Sequence, residues 1–138
     1  MIRLYIDAAV KGKPTIGIAG CGILWVENGQ QRPLKFPLAQ PMDNHLAEFC
    51  GLYLALQELT SCQKQSEWVT IYTDSRIVYD TIQKDYHPHE PYASVYHACQ
   101  ELLVLFPYLQ VEWIPEKANH GADQLAKQAL ALARKQHS

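Results

Sequence analysis

Four acidic residues of the chain stand where a carboxylate could do chemistry. They lie at the ends of apolar strand patterns or within predicted helices: Asp7, Glu48, Asp74 and Asp123. Two carboxylates about 4 Å apart repel each other by roughly 4 kcal/mol at an effective dielectric constant near 20, so a cluster of four needs cations. Magnesium prefers oxygen ligands. If the fold gathers these acids, we therefore expect a site for divalent metal ions.

Two of the acids follow predicted strands. Ile2, Leu4 and Ile6 alternate with other residues, which predicts a half-buried strand with Asp7 on its other face and at its carboxyl end. The run 68–75 predicts a second strand that closes on Asp74. Ligands of open α/β sheets bind at the carboxyl ends of strands. Taken singly, each acid is more simply explained as a helix cap or a solvated charge, so the hypothesis depends on their combination.

The other two acids lie on predicted helices. Asp43 is the predicted N-cap of the first, and Asn44 shares a helical face with Glu48, four residues later. The buried stripe of this helix is predicted to be Leu46, Phe49, Tyr53 and Leu56. Asp123 lies early in a final helix, predicted over 121–135. The apolar stripe of the final helix is predicted to be Leu125, Ala126, Ala129, Leu132 and Ala133.

Further motifs accompany the acids in four blocks. The blocks are Tyr5-Ile6-Asp7-Ala8-Ala9 with a glycine-spaced strand pattern at 16–25, Asn44-His45-Leu46-Ala47-Glu48, Tyr72-Thr73-Asp74-Ser75, and Trp113-Ile114-Pro115-Glu116 followed by 119–126. In this order they resemble the type 1 ribonucleases H and their ribonuclease H-like (reverse-transcriptase-like) relatives. The resemblance extends over nearly the whole chain, and its specificity comes from all four blocks together.

The resemblance implies a single α/β domain over residues 1–138, with a mixed five-stranded sheet flanked by helices on both faces. It identifies Asp7, Glu48, Asp74 and Asp123 as a catalytic quartet that holds two Mg²⁺ ions, with Mn²⁺ as a substitute. The implied reaction is hydrolysis of the RNA strand of an RNA/DNA hybrid by two-metal catalysis, which needs no protein nucleophile.

The resemblance also implies residues that contact substrate. These are Asn44, Asn119, Lys13 and Ser75, with His120 and Lys117 as accessory residues. Asn44 would hydrogen-bond a 2′-hydroxyl, the group that distinguishes RNA from DNA. Both asparagines could instead cap helices, and for Asn119 we expect both roles.

The chain departs from the family pattern at four places. Ala8 and Lys13 stand where glycine and asparagine are common, the loop after Trp113 lacks a histidine, and a short loop at 85–91 replaces a basic protrusion. An alanine at position 8 would tolerate less unusual backbone geometry and crowd the phosphate. The other departures predict a weaker grip on substrate or an altered rate.

Composition limits the remaining possibilities. A chain of 138 residues with 48% hydrophobic content suits one folded domain. No apolar run suggests a membrane span, and the N-terminus reads as a strand rather than a signal peptide, so we expect a cytoplasmic protein without membrane partners. The four cysteines have no spacing typical of a zinc site or a disulfide framework.

The net charge is the observation least typical of a nucleic-acid enzyme. Twelve Lys and Arg against fourteen Asp and Glu give −2, whereas phosphate contacts supply most nucleic-acid affinity. We expect weak, salt-sensitive binding unless another subunit or a protein partner helps. Two alternatives therefore stay open: a ribonuclease H-like domain with weak or lost catalysis that binds nucleic acid or protein, and a nuclease for structured or single-stranded nucleic acid.

Overall fold

The computed structural model describes residues 1–12, 17–38 and 40–137. Within these ranges five strands and four α-helices follow one another, with a 3₁₀ turn at Glu116–Ala118. The strands are β1 (Ile2–Lys11), β2 (Ile18–Glu27), β3 (Gln30–Leu38), β4 (Val69–Thr73) and β5 (Leu109–Trp113). The helices are α1 (Asn44–Ser61), α2 (Arg76–Gln83), α3 (Tyr92–Leu103) and α4 (His120–His137).

The five strands form one mixed sheet in the order β3-β2-β1-β4-β5. Strands β1, β2 and β3 pair antiparallel, whereas β4 pairs parallel with both β1 and β5. The β1–β4 register aligns Ile6 with Thr73. The residues that follow this pair, Asp7 and Asp74, therefore lie where the parallel pairing of β1 and β4 ends. The predicted mixed five-stranded sheet is confirmed.

One face of the sheet packs on α1. Ile2, Leu4 and Ile6 are at most 2% exposed and belong to one apolar cluster with Phe49 and Leu56 of α1. The predicted alternation of the first strand and two residues of the predicted helix stripe, Phe49 and Leu56, produce this layer. The other two residues of that stripe are only half-buried, and Leu46 packs against a second cluster that contains Ala19 and Met42.

The opposite face packs on α4, and glycines make that packing possible. A Cβ at Gly22 would lie 2.4 Å from the backbone nitrogen of Ala126, and one at Gly20 would lie 2.2 Å from that of Leu130. Only glycine lets the strand and the helix backbone approach this closely. Helices therefore cover both faces of the sheet, as predicted, and α4 is held directly against β2.

Two expectations from the sequence need correction. Asp7 does not end its strand, because β1 continues to Lys11 in antiparallel pairing with β2; only the parallel pairing with β4 stops at Ile6. Leu132 was expected in the buried stripe of α4 but is 39% exposed, since the buried face of the helix is set by Ala126, Ala129 and Ala133. No helix among the described residues is long and apolar enough to cross a membrane.

Candidate active site

The four predicted acids reach one region of the molecule from four separate elements. Asp7 lies within β1, Asp74 directly follows β4, Glu48 lies in α1, and Asp123 lies in the first turn of α4. The charges of Asp74, Asp123 and Glu48 all raise the pKa of Asp7, which shows that the side chains are electrostatically coupled. The structure thus brings together the residues that the sequence pattern selected.

Asp7 is the electrostatic centre of the group. Burial, followed by repulsion from Asp74, raises its pKa from 3.8 to about 7, although the Ala8 N–H, which donates to Asp7 Oδ1 at 2.9 Å, acts in the opposite direction. Burial also raises the pKa values of Glu48 and Asp74. Without a cation, a full set of negative charges is therefore unfavourable here.

Ala8 does not distort the backbone beside Asp7. It continues β1 and pairs with Cys21 of β2 in the regular antiparallel ladder. The positive-φ residues among those the structure describes lie elsewhere, in turns. The conformational freedom of glycine is therefore not needed at position 8.

Glu48 is held by three neighbours. Asn44 Nδ2 lies 3.4 Å and His45 Nδ1 3.2 Å from Glu48 Oε1. A hydrogen bond with Ser75 acts against burial and lowers the pKa of Glu48. Ser75 is only 4% exposed and also caps α2 by accepting from the Val78 N–H at 3.2 Å. Predicted as a substrate contact, Ser75 is placed to hold Glu48 and α2.

Asn119 links three of the elements that carry acids. Its Nδ2 donates to the carbonyl oxygen of Ile6 at 2.8 Å and to Asp74 Oδ2 at 3.3 Å. Its own carbonyl oxygen accepts from the Asp123 N–H at 3.0 Å. The residue is 1% exposed and its Oδ1 has no hydrogen-bond partner, so the expected side-chain cap of α4 is not formed. Asn119 is thus placed to position the acids from inside the protein.

The other predicted substrate and accessory residues differ in what the structure shows of them. Asn44 is exposed beside Glu48, while Lys117 and His120 are exposed at the 3₁₀ turn and the start of α4. Asn44 does not cap α1, because Asp43 does so by accepting from the Leu46 N–H at 2.8 Å. Lys13 lies outside the described residues.

Two charged residues near the acids were missed in the sequence. Lys127 Nζ lies 3.0 Å from Asp123 Oδ2, and the charge of Glu116 raises the pKa of Asp74. The four-residue spacing of Asp123 and Lys127 on one helix is the sequence feature that predicts their contact. Glu116 has no comparable signature, because its proximity to Asp74 depends on where the 3₁₀ turn lies in the fold.

The donor chemistry of the site suits a hard divalent cation. Within the part of the chain that the structure describes, no three His, Cys, Asp or Glu side chains are grouped closely enough to hold a metal ion. The coupled carboxylates nevertheless offer oxygen ligands, and a dication would relieve the repulsion that raises the pKa of Asp7. The residues fit Mg²⁺ provided that the carboxylates close around it.

Comparison with known proteins gives relatives in sequence and in fold. The sequence matches the family described as reverse transcriptase-like over residues 6–129. A protein of Enterococcus faecalis named "Putative hydrolase EbsB" is 40% identical over 130 residues, which cover 94% of each chain.

Solved structures share the fold at lower identity. The RNase H1 of the archaeon Halobacterium salinarum superposes with a TM-score of 0.81 at 23% identity, covering 94% of this chain and 97% of that one. LC11-RNase H1, isolated from compost and solved in complex with an RNA/DNA hybrid, has a TM-score of 0.80 at 23% identity, covering 97% and 99%. The chain belongs to the reverse transcriptase-like family and has the ribonuclease H fold.

Proposed function

We propose that this protein is a metal-dependent endonuclease of the ribonuclease H type, which hydrolyses the RNA strand of RNA/DNA hybrids with two Mg²⁺ ions. The observation that carries the proposal is the convergence of Asp74, Asp123 and Glu48 on the half-buried Asp7, whose pKa rises to about 7. Four carboxylates gathered from separate elements repel one another and do not form ion pairs with each other. Bound dications would relieve this repulsion.

The proposed chemistry divides between the ions and the protein. When bound, two Mg²⁺ ions would supply Lewis-acid activation of water and charge stabilisation at the scissile phosphate and the leaving 3′ oxygen. Asp7, Glu48, Asp74 and Asp123 would hold them. Asn119 holds Asp74 relative to β1 by two hydrogen bonds, and Ser75, the N-cap of α2, lies beside Glu48. The chain's own contribution is therefore to keep the carboxylates in place while substrate is exchanged.

Recognition of RNA is proposed to begin at Asn44. Its amide is exposed at the start of α1 and lies beside Glu48, where a 2′-hydroxyl next to the scissile phosphate could reach it. The net charge of −2 predicts weak binding to nucleic acid, because few cationic side chains are available for phosphate contacts. The shortage of cationic side chains favours a role for an additional subunit or a protein partner in substrate binding.

A second candidate function is a nucleic-acid-binding or protein-interaction module with weak or lost catalysis. The acidic net charge supports it, as does the loop at 114–118, which has no histidine. A nuclease for single-stranded or structured nucleic acid would share the chemistry of the first proposal and differ in substrate.

The deciding experiment is cleavage of labelled substrates by the purified protein. An RNA/DNA hybrid, single-stranded RNA and duplex DNA are incubated with Mg²⁺ and then with Mn²⁺, with Asp74→Asn as the control for contaminating nuclease. We expect cutting of the hybrid alone, with no activity in the variant. Cutting of single-stranded RNA instead would change the substrate class, and no cutting with either metal would favour the binding module.

A further inference from the structure

One of the four carboxylates forms an ion pair with a lysine. Lys127 Nζ lies 3.0 Å from Asp123 Oδ2, one helical turn further along α4. The side chain of Lys127 is 62% exposed, while that of Asp123 is only 24% exposed. The Asp123 carboxylate is therefore the more buried partner of the pair. The Lys127 ammonium group lies on a solvated side chain, which can change conformation without disturbing the core.

The ammonium group of Lys127 also lies in the field of other acids. A lysine side chain is positively charged at neutral pH, so the contact with Asp123 is an ion pair. Lys127 stands close enough to the site to act on a cation bound by Asp123.

We propose that Lys127 is a tethered counter-ion of the metal site, which occupies Asp123 in the metal-free protein and must be displaced when a metal ion binds there. The inference rests on the proposed function for the identity of the site. Its consequence is regulatory: Lys127 raises the metal concentration at which the site fills.

The physical basis is competition between cations for one carboxylate. Binding at Asp123 breaks the ion pair, and the lysine then repels a dication held a few ångströms away. Because Lys127 is exposed, water screens both effects, and we expect them to weaken metal binding by about three- to ten-fold.

The simpler reading is a surface pair that only supports α4. Pairs at this spacing stabilise helices slightly whatever their neighbours do. A purely structural pair would leave metal affinity unchanged when it is removed, which makes metal binding the discriminating measurement.

The test is a thermal-shift titration with MgCl₂ and MnCl₂, without nucleic acid, on the full chain. Lys127→Met removes the charge, Lys127→Arg keeps it, and Lys64→Met removes a comparable pair, in which Lys64 lies 3.3 Å from Glu27. We expect Lys127→Met to bind metal about three- to ten-fold more tightly than wild type. Lys127→Arg and Lys64→Met should match wild type. Unchanged or weaker binding by Lys127→Met overturns the inference.

A double-mutant cycle with Asp123→Asn ties the effect to this carboxylate. Once Asp123 is neutral, Lys127→Met should gain much less affinity, and an undiminished gain would contradict displacement from Asp123.

The inference and the proposed function fail separately. If wild type cleaves the hybrid but Lys127→Met has unchanged metal affinity, only the inference about Lys127 is overturned. If Lys127→Met binds metal more tightly but wild type cleaves no hybrid, only the proposed nuclease function is overturned. If the wild-type protein binds neither Mg²⁺ nor Mn²⁺, the metal site is absent and both proposals are overturned.

Discussion

Asn119 donates a hydrogen bond of 2.8 Å to the carbonyl oxygen of Ile6, across 113 residues of chain. Ile6 directly precedes Asp7, and the same amide nitrogen reaches Asp74 Oδ2 at 3.3 Å. The Asn119 backbone carbonyl also accepts from the Asp123 N–H, so one buried residue links β1, the end of β4 and the start of α4. The relative positions of three acids therefore depend on an uncharged residue.

Asn119→Ala should lower both stability and activity. Losing the amide leaves the buried Ile6 carbonyl without this donor, so we expect the free energy of unfolding to fall by about 1–3 kcal/mol in urea denaturation. Metal-dependent cleavage should fall further than stability alone explains, because Asp7 and Asp74 lose their common support. The matched control is Gln128→Ala, an exposed position of α4. Wild-type cleavage by a folded Asn119→Ala protein would remove the positioning role.

Gly22→Ala should displace α4 and the acid that it carries. The added methyl group would lie 2.4 Å from the backbone nitrogen of Ala126, which cannot move without moving the helix. We expect a loss of about 3 kcal/mol or more, at the upper end of overpacking costs. Asp123 should also shift from the site, so that metal stabilisation measured by thermal shift is lost.

Gly51→Ala supplies the contrast within the same fold. A Cβ at Gly51 would meet its nearest neighbours at 3.8 Å, an ordinary contact, and the residue lies inside α1. Replacing a helical glycine by alanine should stabilise the protein by about 0.5–1 kcal/mol. Equal effects of the two substitutions would show that close packing of β2 against α4 is not what requires glycine at position 22.

Local patterns predicted the parts of the site that depend on neighbouring residues. The cap at Asp43 and the alternation before Asp7 follow from helix-start chemistry and strand geometry, and both are observed. The extension of β1 beyond Asp7 could not be inferred in this way, because it depends on pairing with β2 rather than on the sequence of β1.

Residues whose roles depend on distant partners were predicted less well. The role of Asn119 depends on Ile6, far away in the chain, so its sequence context indicated only a cap or a substrate contact. Leu132 fits the helical period yet is 39% exposed, because none of the strands and helices that the structure describes covers its side chain. Periodicity gives the direction of a side chain, and only the tertiary structure decides whether something lies there.

The metal-free protein should lose stability as pH rises toward 7. The folded pKa of Asp7 is about 7 and its ordinary value is 3.8, so between these values the folded state binds more protons at Asp7 than the unfolded state does. The contribution of Asp7 to the free energy of unfolding therefore falls across this range and levels off above it. In EDTA at pH 8, Asp7→Asn should consequently be more stable than wild type, by about 1–2 kcal/mol once partial solvent screening is allowed for.

The measurement is thermal unfolding at pH 4 and pH 8, in EDTA and in MgCl₂. At pH 8 in EDTA we expect the Tm of Asp7→Asn to exceed that of wild type by about 3–8 °C. The difference should nearly vanish at pH 4, where wild-type Asp7 is largely protonated in the folded state, and Mg²⁺ should stabilise wild type alone. Glu67→Gln, an exposed carboxylate between α1 and β4, is the control. If the Tm of wild type at pH 8 in EDTA exceeded that of Asp7→Asn, the carboxylates around Asp7 would not destabilise the folded protein.

Asn44→Ala should reduce discrimination between RNA and DNA more than it reduces metal binding. The Asn44 amide is exposed and lies 3.4 Å from Glu48, so it can meet a 2′-hydroxyl while the carboxylate holds metal. In an Asp74→Asn background, which prevents cleavage, the ratio of Kd values for duplex DNA and RNA/DNA hybrid should fall by about three- to ten-fold, as expected for one hydrogen bond. Gln110→Ala, on the exposed surface of β5, should leave the ratio unchanged. An unaltered ratio in Asn44→Ala would instead limit Asn44 to supporting Glu48, because a residue that reads the sugar must change the preference for it.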